Sequence, residues 1–273
     1  MKKPGALLLL LLIAATAFSH DELDEQVHAI TLQIARAPNR AELYFQRGEL
    51  YRADSHWKQA ERDYRKAKEL APGMAATDLG LGLLYLNSGR LHESKQALDR
   101  FIAHQPDHAQ ARVARGHVFS KLGNRMNAVG EYSKALMLHP DPEIYIERSQ
   151  LLVSENKLEE ALIAIDEGIR TLGPIVTMEL FAIDVELRLE HYDQAVQRVD
   201  RIAAQSDRKE AWFARKGEIF EQALRNEEAR KAYLSATEAI ADLPPSRKNT
   251  GYTRELEERI RHALERLEKS QIQ

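Results

Sequence analysis

The 273-residue chain has no cysteine. Disulfides, thiolate metal sites and cysteine nucleophiles are excluded, so packing must supply the stability. A cysteine for lipid attachment behind an N-terminal leader is missing too. Aromatic residues are scarce at 7%, and 13 glycines and 9 prolines keep the composition far from collagen-like or disordered chains. Neither sign of charge is in excess: 39 Lys and Arg face 42 Asp and Glu, a formal charge of -3. A protein that lives on phosphate backbones needs a basic stripe. The densest basic run here, Arg62 to Lys68, is broken by Asp63, Tyr64 and Ala67, as on a solvated helix face. No nucleic-acid partner is expected.

Catalytic signatures are absent as well. The sequence holds no phosphate-cradling glycine loop, no His-Glu-x-x-His and no serine in a nucleophile elbow. Gly80 and Gly82 fall inside a helical pattern, where glycine lets helices touch. The ten histidines are scattered, and Pro106 separates the i,i+4 pair His104 and His108. No catalytic residue, metal ligand or cofactor is expected.

What is present begins with residues 1–19, MKKPGALLLLLLIAATAFS. Two lysines, an apolar core from Gly5 to Ala15 and small residues form the three-part layout of an export signal. The apolar stretch falls short of the ~20 residues that span a bilayer. Cleavage after Ala17 or after Ser19 satisfies the small-residue requirement, and either removes Lys2 and Lys3, taking the formal charge from -3 to -5. An uncleaved anchor is the alternative. No second spanning run follows, so no stable membrane insertion is expected after cleavage. Export without cysteine points to the periplasm first and secretion second.

Self-similarity organises the rest. Segments 41–74, 75–108 and 109–141 align with periods of 34, 34 and 33 residues. The eighth place holds Gly48, Gly82 and Gly116, and three residues on stand Tyr51, Tyr85 and Phe119. The twentieth holds Ala60, Ser94 and Ala128, followed four later by Tyr64, Leu98 and Tyr132. Pro72, Pro106 and Pro140 close the units. Spacings of three and four put these places on single helical stripes. Small residues at places eight and twenty let two helices, joined by a turn at Gly89, Gly123 or Asn156, approach closely. Each pair keeps one apolar face and has to stack on its neighbour.

These residues resemble the tetratricopeptide repeat family, in an exported bacterial form. The pattern continues through 142–175 with Ser149, Leu152, Ala161, Ile165 and Gly168. It returns in 210–243 with Gly217, Phe220, Ala229, Tyr233 and Ala236. The resemblance implies an all-α fold, an α-solenoid of about six helix-turn-helix repeats. Its expected layout is a half-repeat helix over 20–40, the array over 41–243, a polar linker over 244–251 and a capping helix over 252–270. The cap carries Leu256, Ile260, Leu264 and Leu267 on one stripe.

Segment 176–209 is the poorest copy. Ile183 and Glu186 stand where glycine and an aromatic are expected. A one-residue shift would put Leu180, Ile183 and Leu187 inside, shorten the turn and spare Glu186 an unpaired burial. Looser packing is expected there.

In this family the first helices of successive repeats line a groove that takes extended or helical peptides. Carried over by register, the groove would hold Glu42, Phe45, Glu49 and Arg52, then Leu79, Leu83, Leu86 and Asn87. Val113, His117, Ser120 and Lys121 would follow, then Ile146 and Gln150. Members that clamp acidic C-terminal tails carry lysine and asparagine where Phe45 and Glu49 stand, so that ligand is not implied. The resemblance implies a non-catalytic scaffold that holds a peptide or helix of a protein partner. The alternative is a structural subunit that meets its partners through its outer face and ends.

Overall fold

Ala, Leu, Glu, Arg and Lys dominate the chain, and these residues lose least on entering a helix. The computed structural model describes residues 20–270, and every regular element among them is helical. The export segment 1–19 lies outside the described residues. No described helix is long and apolar enough to cross a membrane. The chain divides between Leu122 and Gly123 into two compact units.

The first unit holds α1 (His20–Arg36), α2 (Ala41–Ala53), α3 (Trp57–Leu70), α4 (Ala76–Asn87), α5 (Leu91–His104) and α6 (Ala109–Lys121). α1 lies on α2 and buries Leu23 and Ile34. α2 pairs with α3, and α4 with α5. In each pair the axes close in at place eight. A methyl group on Gly48 would sit 2.9 Å from the Tyr64 ring, and one on Gly82 only 2.7 Å from Leu98 Cγ. Ser94, at place twenty, donates its hydroxyl to the Gly82 carbonyl at 2.7 Å, so the close approach carries its own hydrogen bond.

The second unit holds α7 (Arg125–Leu138), α8 (Pro142–Ser154), α9 (Leu158–Leu172), α10 (Val176–Arg188), α11 (Tyr192–Gln205), α12 (Lys209–Gln222) and α13 (Asn226–Ala241). Behind them come α14 (Pro245–Lys248) and α15 (Gly251–Ser270). Asp141 caps α8 by accepting from the amides of Glu143 and Ile144, with Pro142 in the first turn. Where a linker is expected over 244–251, residues 245–248 form a helical turn and α15 opens at Gly251. α15 seals α13 and α12 with Leu256, Ile260, Ala263 and Leu267, while Leu264 is half-buried beside Ala263.

The turns that follow α2, α4, α6, α8, α10 and α12 are each three residues long with the middle residue at positive φ. Gly89, Gly123 and Asn156 fill that position as expected, and Ser55, Glu190 and Leu224 fill it elsewhere. Leu224 has φ +58° without glycine's freedom, a conformation that costs roughly 1–2 kcal/mol.

Segment 176–209 departs from the reading given above. The turn is not shortened, the register does not shift, and Leu180 faces outward. Ile183 occupies the small place and is fully buried, opposite a Val199 smaller than the usual tyrosine or leucine. A smaller residue at place twenty-four leaves room for the larger one at place eight. Glu186 is buried after all, because Arg198 reaches it. The guanidinium donates from Nε to Glu186 Oε1 at 2.8 Å, from Nη1 to Glu179 Oε2 at 2.9 Å and from Nη2 to Asp166 Oδ1 at 2.7 Å. Burial pushes the Glu186 carboxyl above its ordinary range despite Arg198. The segment is held by charge as well as by packing.

Two outcomes follow. Gly82→Leu drives a side chain into Leu98 and should lower stability in urea by about 1–3 kcal/mol. Gly251→Leu, with open space around it, should change it by less than about 0.5 kcal/mol. Ending the chain at Pro245 strips Leu256, Ile260 and Leu267, each worth about 1.5–3 kcal/mol when fully buried, from α13 and α12 together with the smaller Ala263. Thermal melts and light scattering should show a lower Tm and self-association, because the last repeat is left uncovered.

Candidate partner-binding face

In the first unit α4 contacts both α2 and α6, so these first helices of successive repeats lie side by side. These three helices carry the expected groove residues of this unit. Phe45, Leu79, Leu83, Leu86 and Val113 are half-buried, neither sealed in the core nor fully in water. Glu42, Asn87 and Lys121 are exposed at the margins, and Arg52, His117 and Ser120 are half-buried. Leu79, Leu83 and Leu86 also pack on Leu98, Ala114 and Val118. They are joint residues of the stack that keep part of their surface outward. Ile146 is half-buried and Gln150 exposed on α8, in the other unit.

Polar groups on this face are pre-engaged. The Tyr64 hydroxyl, buried beneath Phe45, donates to Glu49 Oε1. The Phe45 and Tyr64 rings meet tilted, with centroids 5.7 Å apart. Arg52 Nη2 donates to the other Glu49 oxygen at 2.8 Å. Burial lifts the Tyr64 phenol above its ordinary value, and the Glu49 charge adds to the rise. Burial alone would lower the Arg52 guanidinium, but the Glu49 charge outweighs it and holds it above its ordinary value. Tyr64, Glu49 and Arg52 form one fixed unit, so the three do not compete separately for a ligand.

The reading from sequence missed a second concavity. In the second unit a cleft of about 570 Å³ opens between α9 and α11 over the start of α10, lined by Ile163, Ile169, Arg170, Pro174, Glu179 and Arg201 among others. A smaller one of about 250 Å³ adjoins it, sharing Pro174, Glu179 and Arg201 and reaching Trp212. α9 ends at Gly173, φ +88°, ahead of Pro174, so the helix cannot run on to fill the gap. Gly173-Pro174 was the available signal in the sequence.

Helix pairs whose close joints recur in register decide the comparison with known proteins. Residues 79–119 match the tetratricopeptide repeat family. Solved structures agree on the fold. A tetratricopeptide repeat protein from Parabacteroides merdae is 15% identical and aligns over 88% of this chain and 93% of its own, with a TM-score of 0.53. Pseudomonas aeruginosa pilF is 15% identical over 75% of this chain and 93% of its own, with a TM-score of 0.51. MamA from Desulfovibrio magneticus is 15% identical over 55% of this chain and 85% of its own, with a TM-score of 0.52. At such identities the likeness is one of fold alone: an all-helical tetratricopeptide solenoid. A curated relative, protein O-mannosyl-transferase TMTC1 of Homo sapiens, is 27% identical over 240 residues, 84% of this chain. The chain spans 26% of the length of that relative.

The buried phenols yield a pH prediction. Tyr64, Tyr132 and Tyr233 are each raised by burial and then by the glutamate that accepts their hydroxyl, and Tyr85 is raised by burial and by Glu61. A raised folded-state pKa means stability is whole below the unfolded value of about 10 and is lost as pH climbs above it. Ultraviolet titration should show four of the nine tyrosines ionising only together with alkaline loss of helicity. Independent early ionisation of all nine would contradict the packing described.

Proposed function

We propose that the chain is an exported, non-catalytic scaffold that holds a peptide or helix of a protein partner against the face made by α2, α4 and α6. A tetratricopeptide fold suggests protein–protein interaction. The observation that carries the reading is the row of apolar side chains left half-buried on three adjacent helices: Phe45, Leu79, Leu83 and Val113. Such a row offers anchoring contacts at intervals, and the Glu49–Arg52 pair beside it fixes polar groups before a ligand arrives, which lowers the entropic cost of binding. Ile146 and Gln150 hold the corresponding register positions on α8 of the second unit. The layout of residues 1–19 supports export to the periplasm.

The test is affinity capture from periplasmic extract with the mature chain. Phe45→Ser, Leu83→Ser and Val113→Ser together should weaken recovery of the captured partner by about tenfold or more, with far-UV helicity retained. Undiminished recovery moves the interaction to another surface. Finding the chain only in the cytoplasmic fraction overturns the export half.

One observation favours a second reading, that of a structural subunit that meets partners through second helices. Met137 on α7 is 78% exposed and Ile163 on α9 is 66% exposed. Exposed apolar side chains are therefore not confined to first helices.

A further inference from the structure

The cleft between α9 and α11 differs from the first-helix face in both location and chemistry. Its walls combine Ile163, Ile169 and Pro174 with charged side chains, and Ile163 and Val176 stand out at the mouth with 66% and 48% of their surface in water. Its floor is a closed ion cluster. Asp166, Glu179 and Glu186 all converge on Arg198, and Glu179 and Glu186 are sealed from solvent. Above this floor two guanidiniums keep spare donors. Among the described residues Arg170 bonds only to the Asp166 carbonyl of its own helix, at 3.3 Å. Arg201, half exposed, has one polar contact among the described residues, 3.5 Å from a Glu179 oxygen that Arg198 already holds at 2.9 Å. With Arg170 and Arg201 counted, three guanidiniums match three carboxylates; Glu179 and Glu186 are buried, Asp166 is partly exposed, and both spare cations face out. A carboxylate at the mouth gains charge-assisted hydrogen bonds without displacing an existing pair.

We infer that this paired cleft binds a short extended segment of a partner protein in which a carboxylate side chain is flanked by aliphatic or aromatic residues. The flanking residues enter the two adjoining clefts. The carboxylate meets Arg201 on the ridge between them, with Arg170 on the far wall of the larger one. This site is independent of the α2–α4–α6 face, and either one stands if the other fails.

Trp212, half-buried in the smaller cleft, gives the readout. Trp57 is the second of the two tryptophans and lies in the first unit, so Trp57→Phe leaves Trp212 as sole reporter. The probe is an equimolar set of peptides, acetyl-Gly-Φ-Glu-Φ-Gly-amide with Φ as Leu, Ile, Val or Phe, against the matched set with Gln for Glu. The Glu set should shift Trp212 emission saturably, and the Gln set at least about tenfold more weakly. Arg201→Gln should erase that preference, and Ile163→Ser should weaken both sets. Arg201 and Ile163 are exposed, so neither change removes a core contact. The Phe45, Leu83, Val113 triple variant should bind the Glu set unchanged. No saturable shift at millimolar peptide, equal affinity for both sets, or a preference that survives Arg201→Gln each overturns the proposal.

Discussion

Everything regular in this chain depends on how closely the two helices of a repeat can approach at place eight. At Gly48, Gly82 and Gly217 the opposing side chain lies where a methyl group would be. That proximity puts a large residue at place twenty-four across the joint and fully inside. A buried tyrosine there has to take its hydroxyl somewhere, since an unpaired buried hydroxyl costs about 1–3 kcal/mol. Each one ends on a glutamate of a first helix: Tyr64 on Glu49, Tyr132 on Glu147 at 2.8 Å and Tyr233 on Glu221 at 2.6 Å. Packing thus dictates where the acidic residues of the first helices sit. One of them, Glu49, lies on the candidate binding face.

The segment over α10 and α11 shows the same rule with its terms exchanged. Ile183 fills the small place, Val199 faces it, and no tyrosine hydroxyl remains to be satisfied. The polar anchoring passes instead to Arg198, which ties α11 to α10 and to α9. A buried ion cluster is weak evidence for stability, because desolvation consumes much of the Coulomb gain. Its plainer effect is geometric: a planar guanidinium with three carboxylates at fixed directions admits one arrangement of the three helices.

How much of this was legible follows from sequence distance. Places eight, eleven, twenty and twenty-four repeat within a single helix pair, so periodicity exposes them, and the glycines, alanines and tyrosines could be aligned by eye. The Arg198 partners lie 12, 19 and 32 residues away, on helices that only folding brings together. Glu186 was visible as a residue needing a partner, but the guanidinium on the next helix that answers its charge was not. Turn positions were legible where glycine or asparagine marked the left-handed residue. Leu224 gave no such mark, because the repeat geometry imposes positive φ there against the residue's own preference. The first-helix face was legible by register, but the half-burial of Leu79, Leu83 and Leu86 was not. Whether such a leucine serves the stack or a ligand depends on how far the next helix covers it.

That partial cover bears on how binding and stability are coupled. Leu83 packs against the Leu98, Ala114 and Val118 cluster and keeps part of its surface in water, so a ligand that covers it buries only the remaining surface. Each anchor then contributes less than a fully exposed leucine would, and affinity has to come from several repeats engaged at once. The same contact works in reverse. A ligand that spans α2, α4 and α6 presses on residues that already hold those helices together, so it stabilises the fold in proportion to its affinity. The cleft over α10 has no such sharing at its mouth: Ile163 and Arg201 reach into water, and the helices beneath are fixed by Arg198 instead. The two concavities differ in kind, one where recognition tightens the stack and one where the stack is already closed.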